Sequence, residues 1–230
     1  MNPTLYYAVM LITEPQKARR ILLAEELENW FMDLFDEEFE DILEGTFKDN
    51  QYVYMDKIVD KYIEITGVDE NNSDEFTRTV LDKAVKTAKE IQDVTWNNIV
   101  TIPLAKRQDE DTIADFILGG IAIGSALFAT DSARKWLSRE RANLIALNES
   151  NWKWNNEEFF EALGSKKTKT WHTALDERVR LTHMEVEGKT IPVDELFHVG
   201  SSLMLYPLDM SHGASLSEIA NCRCSVSYGK

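Results

Sequence analysis

The stretch W-H-T-A-L-D-E-R-V-R-L-T-H, Trp171 to His183, and the closing run N-C-R-C-S-V-S-Y, Asn221 to Tyr228, decide how this chain reads. Both cysteines, all four histidines and the densest set of specific polar residues fall between Trp171 and Tyr228. Trp171 to about Glu185 has the pattern of a helix, which would put Asp176, Arg180 and His183, spaced i, i+4 and i+7, on one face. An acid four residues before a base is also the favourable order for a helical ion pair. Gly188 permits a turn, and Lys189 to Val193 begins a strand in which Pro192 favours a sheet edge. Leu203 to Tyr206 reads as another strand. In the closing run Cys222, Cys224, Val226 and Tyr228 alternate with Arg223, Ser225 and Ser227, as on one strand with both thiols on the same side.

Two thiols so placed have three readings. They are small buried hydrophobes in reduced form. They are two zinc ligands, with His183 as a third and His198, His212, Asp209 or water as the fourth. Or they are a redox pair, which strand geometry would strain. The order His183-Met184-Glu185 and then a cysteine pair also resembles the zinc deaminases, in which H-x-E supplies a ligand and a proton shuttle. That reading would make His183, Glu185, Cys222 and Cys224 the site of a zinc hydrolase. It departs from the deaminase pattern at Asn221, where proline is usual, and in having one residue between the cysteines instead of two.

Outward from this stretch the chain reads as helical scaffold. Glu14 to Gly45 carries Ile21, Leu22, Trp30, Phe31, Leu34, Phe35, Phe39 and Ile42 at helical spacing. Its carboxylates Asp36, Glu37, Glu38, Glu40 and Asp41 lack the loop pattern of a calcium site and read as a solvated face. Gln51 to Thr66 is a second helix stopped at Gly67, and Ser73 or Asp74 caps a third, Asp74 to Asn98. The apolar run Phe116 to Ala129, 14 residues long, is shorter than the roughly 20 needed to span a bilayer and reads as a buried helix. Asp131 to Asn151 is a further helix. Lys166, Lys167 and Lys169 read as a solvated loop leading into the C-terminal unit. The fold class is therefore α+β: a largely α-helical N-terminal region, residues 1–164, followed by a small α+β domain, residues 165–230, with a short antiparallel sheet.

The net charge is −15 over 230 residues, and the first 60 residues hold 14 acidic against 5 basic side chains. Such a surface repels phosphate backbones, so sequence-specific nucleic-acid binding is not expected. Two cysteines give no disulfide framework, and the apolar patch Leu5 to Ile12 lacks the flanks of a signal peptide. No catalytic triad, phosphate loop or carboxylate pair stands out.

The pattern W-x-T-x-x-D-x-R-V-R-x-x-H, then Gly188, Pro192, Phe197, Pro207 and Asn221-Cys222-Arg223-Cys224, resembles the Mu protein F-like family of phage minor head proteins. Arg141 to Glu149, R-A-N-L-I-A-L-N-E, resembles the helix that commonly precedes that domain, so the likeness runs from about Arg141 to Tyr228. Ile219-Ala220 stand where members often carry His-Pro. The resemblance implies a non-enzymatic minor capsid protein of the virion, associated with the portal protein and with major capsid or scaffolding protein, acting in head assembly or DNA delivery. Within the domain, Asp176, Arg178, Arg180, Asn221 and Arg223 are candidates for a buried hydrogen-bond and ion-pair network joining helix to strand, and His183, Cys222 and Cys224 are the candidate ligands of a structural zinc.

Overall fold

A computed structural model describes residues 15–44, 46–98 and 136–230 of the chain. The Leu5 patch and the apolar run Phe116 to Ala129 lie outside these residues. The architecture is α+β, with long helices first and small antiparallel sheets after them. The chain packs as two compact units, one of residues 28–142 and the other of residues 1–27 with 143–230.

Helix α1 spans Pro15–Glu44, α2 Phe47–Thr66 and α3 Glu75–Trp96. The buried stripe of α1 runs through Ala24, Leu27, Phe31, Leu34, Phe35, Glu38 and Ile42, whereas Leu22 is exposed. Glu38 therefore occupies a core position instead of the solvated face expected for it. Helix α2 ends as its sequence dictates. Gly67 adopts φ 66° and its N–H closes the last turn on Ile63 O at 2.8 Å, a conformation in which any side chain would be strained. Asp74 accepts from Thr77 N at 2.7 Å to start α3. Val80, Ala84, Ala88 and Ile91 make the apolar stripe of α3, with small alanines letting neighbours approach closely.

In the 28–142 unit, Arg141 of α4 (Arg139–Ala162) reaches Thr95 Oγ1 at 2.9 Å, Ile91 O at 3.0 Å and Trp136 O at 2.8 Å. Its guanidinium also lies over the Phe35 ring, 5.1 Å from the centroid. Arg139 pairs with Glu28 at 2.7 Å. Of the helix expected over Asp131 to Asn151, residues 131–135 lie outside the described ones. Helix α4 starts at Arg139, after a bend at Leu137 and Ser138, and runs on to Ala162, because Trp152, Asn155, Asn156 and Phe159 extend its buried face.

The C-terminal part begins with β1, Thr168–His172. A one-turn helix α5 (Leu181–Met184) follows, then β2 (Thr190–Pro192), β3 (Phe197–Val199) and β4 (Ser202–Met204). A second one-turn helix, α6 (Leu216–Ile219), leads to β5 (Ser225–Gly229). The larger sheet has the order β2-β1-β5, antiparallel throughout, with Trp171 opposite Val226 and Thr170 opposite Thr190. Pro192 thus sits on an edge strand, where its missing N–H costs no ladder bond. Strands β3 and β4 form a hairpin pairing Phe197 with Met204. Trp171, Phe197, Val199, Met204, Tyr206 and Val226 make the core, and the Trp171 and Phe197 rings meet edge to face at 5.1 Å.

Two expectations fail here. Trp171 to Glu185 is not one helix, because Trp171 and His172 belong to β1, which is paired on both sides. The Asp176 carboxylate then accepts from Arg178 N at 3.0 Å, a local turn that competes with helix. Nor is Lys169 a solvated loop residue. It is fully buried in β1, donates to Leu205 O at 2.7 Å and lies between the Phe159 and Phe197 rings. Burial pushes its pKa down to about 8, against the pull of Asp209.

Candidate metal centre

The site is assembled by three short segments that the sheet brings together. After β1 the chain turns through Thr173, whose N–H donates to Glu187, and Leu175, whose φ is 53°. The extended Arg180 then starts α5, which carries His183. From the other side the chain leaves α6 through Asn221, which adopts φ 55°. Asparagine is among the few residues with a side chain that tolerate this region. That reversal sets Cys222 and Cys224 in the extended lead-in to β5, so the alternation expected of them holds although they precede the strand itself.

His183, Cys222 and Cys224 are buried, at 2, 3 and 3% exposure, and their ligand atoms all lie within 4.8 Å of one another. His183 Nδ1 is 3.3 Å from Cys224 Sγ and 3.7 Å from Cys222 Sγ. On the opposite edge of the ring, His183 Nε2 is 3.0 Å from Glu218 Oε2, which also accepts from Thr182 Oγ1 at 2.8 Å. Gly200 lies close beneath this pair, since a Cβ there would come within 2.9 Å of both Thr182 and Glu218.

The electrostatics follow from this packing. The Cys222 thiol is pushed down, first by the hydrogen bond from Cys224 and then by His183, which together outweigh burial. Cys224 is pushed up, chiefly by that same bond to Cys222. The shared bond thus favours ionisation at Cys222 over Cys224, and a charge on one sulfur disfavours a charge on the other. Burial opposes charge on His183, but the bond and the charge at Cys222 prevail, so its pKa is raised.

The remaining residues singled out in the sequence divide. Arg223 holds Asp176 through two bonds of 2.6 Å, and this pairing is the main reason that the Asp176 carboxyl is lowered to about 2. Arg180 donates to Ala220 O at 2.5 Å. Arg178 takes part through its backbone N–H, given to Asp176. The network does link the two motif halves, but Asp176, Arg178, Asn221 and Arg223 are exposed instead of buried. Glu185 is exposed and outside the cluster, and the carboxylate at His183 is that of Glu218. His198 is exposed on β3, while His212 and Asp209 bond to each other at 3.3 Å, so none of the three joins the cluster.

Sequence reasoning missed the asparagines of α4. Asn151 donates to Cys222 O at 2.9 Å and Cys224 O at 3.2 Å, and Asn155 donates to Cys224 O at 3.2 Å. Asn148 accepts from Asn221 N at 3.0 Å, and Arg20 of α1 donates to Asn151 at 2.8 Å. Asn148, Asn151 and Asn155 recur at i, i+3 and i+7, one helical face. Asparagine is a poor helix former, so its recurrence there was the available signal.

The family model described as Phage Mu protein F like protein matches residues 83–227, and the chain belongs to that family. It is a family of phage head proteins. No curated protein and no solved structure matches the chain.

Proposed function

We propose that the chain is a minor head protein of the virion that docks on the portal protein and acts in head assembly or in DNA delivery. In this reading the helical residues 1–164 make the portal contact and residues 165–230 form the compact domain. Membership of the phage head family over residues 83–227 is the observation that carries it. Exposed Tyr52, Val53 and Val85 on α2 and α3 support a protein-binding role for those helices. The acidic surface favours protein over packaged DNA as the neighbour. Major capsid or scaffolding protein is the further partner, met in the host cytoplasm during assembly.

The test is co-purification of the chain with the portal protein of the same phage, alongside cross-linking of assembled particles. Cross-links from α2 and α3 to portal are expected, and Tyr52→Glu with Val53→Glu should reduce the yield of the complex without unfolding the chain. Portal contacts confined to residues after 164 would sink this layout. Particles assembled without the chain should be fewer, or should fail to deliver DNA.

A further inference from the structure

We propose that His183 Nδ1, Cys222 Sγ and Cys224 Sγ bind a zinc ion, with the Glu218 carboxylate orienting the imidazole from behind. Four observations carry this, and none of them depends on the portal reading.

The first is convergence. Two thiols and an imidazole nitrogen meet in a buried site, all within 4.8 Å of one another. A tetrahedral zinc with ordinary bond lengths separates its sulfur and nitrogen ligands by about 3.6 Å. The nitrogen here stands 3.3 and 3.7 Å from the two sulfurs, so both nitrogen–sulfur edges of the tetrahedron are already near their final lengths.

The second is the outer partner. Metal-bound histidines almost always give their other N–H to a carboxylate or carbonyl, which fixes tautomer and ring orientation. His183 Nε2 faces Glu218 Oε2 at 3.0 Å, so Nδ1 is left to face the thiols. Thr182 steadies the same carboxylate oxygen.

The third is rigidity. Asn151 and Asn155 grip the carbonyls of Cys222 and Cys224, fixing the backbone that aims both sulfurs.

The fourth is donor chemistry. Thiolate with imidazole selects zinc among the common divalent ions, while calcium and magnesium take oxygen ligands. Among the described residues the group supplies three ligands, His183, Cys222 and Cys224. The ion would tie α5 to the Asn221–Cys224 loop, a link that neither one-turn helix can make by its own length.

The experiment uses the full chain, purified under reducing conditions without chelator. Elemental analysis should find one zinc per chain. Cobalt added to the stripped, reduced protein should give thiolate-to-metal charge-transfer absorption, diminished in Cys222→Ser and in Cys224→Ser. Glu218→Gln should keep that spectrum and weaken zinc binding by about 10–100-fold. A chain that carries no zinc as purified and gives no cobalt absorption overturns the proposal, as does zinc retained by both serine variants. If those variants fail to fold, the native chain decides. Its thiols should react faster once a chelator is added, and equal reactivity with and without chelator rejects the site.

Discussion

Glu38 shows how one residue placed against its type changes the physics around it. It is wholly buried on the core stripe of α1, with Gln92 donating to one oxygen at 2.5 Å and the other lacking a hydrogen-bond partner among the described residues. Burial is the chief cause that raises its pKa to about 7, against Gln92 and Arg141. An acid raised in the folded state favours folding below its unfolded pKa and loses that contribution as pH rises through the folded value. Stability should therefore fall between pH of about 4.5 and about 7, by up to about 3 kcal/mol from this group. Glu38→Gln should flatten that part of the profile and exceed the native chain in stability above it, as urea denaturation at a series of pH values would read. A variant with the native slope would assign the titration elsewhere. The Asp176–Arg223 pair behaves in the opposite sense. With its carboxyl lowered to about 2, its contribution persists above the usual aspartate range and fades only as pH falls through the lowered value. Because both side chains are exposed, a double-mutant cycle should find a coupling that shrinks as salt is raised.

At the scale of elements, α4 is the brace of the candidate site. Asn151 bonds to two cysteine carbonyls and to Arg20 in a buried setting. Asn151→Ala should cost about 2–3 kcal/mol, since two buried acceptors and a part-buried cation lose their partner together. Asn155→Ala should cost less, about 1–2 kcal/mol, because Asn151 still serves Cys224 O. Chemical denaturation followed by tryptophan fluorescence measures both, and equal, negligible losses would refute the brace. Gly200 tests the hairpin from the other side. With φ 58° and contacts of 2.9 Å waiting for any Cβ, Gly200→Ala should destabilise by about 1–3 kcal/mol. It should also displace Glu218, visible as a changed His183 titration by NMR.

Across the whole molecule, chain order and spatial grouping diverge. Among the described residues, 15–27 group with 143–230 and not with those of the 28–142 unit. Arg20, early in α1, is partly buried against Asn151 of α4, and burial lowers its pKa. Arg20→Ala should therefore loosen the C-terminal unit, more than a hundred residues away in sequence, by about 1–3 kcal/mol. Hydrogen exchange at Cys222 to Val226 would register it, and unchanged protection there would show that the first turns of α1 do not support the loop.

The sequence by itself determined the three helices α1 to α3, the edge strand and the family. Apolar spacing, Gly67, Asp74 and Pro192 each act within a few residues, so local chemistry sufficed to place α1, α2, α3 and β2. It also singled out His183, Cys222 and Cys224, because their residue types are chemically unusual wherever they lie. Only the tertiary structure decided that Trp171 belongs to a strand. Helical spacing and a strand paired on both sides can share the same residues, and the partners Val226 and Lys189 lie far along the chain. It alone decided that Glu38 and Lys169 are buried, since a charge enters a core only where distant groups such as Gln92 and the Leu205 carbonyl meet it. Glu218 and the asparagines of α4 became part of the site for the same reason. Their role is a distance to another segment: a local pattern marks the asparagines as unusual in a helix but does not say what they meet.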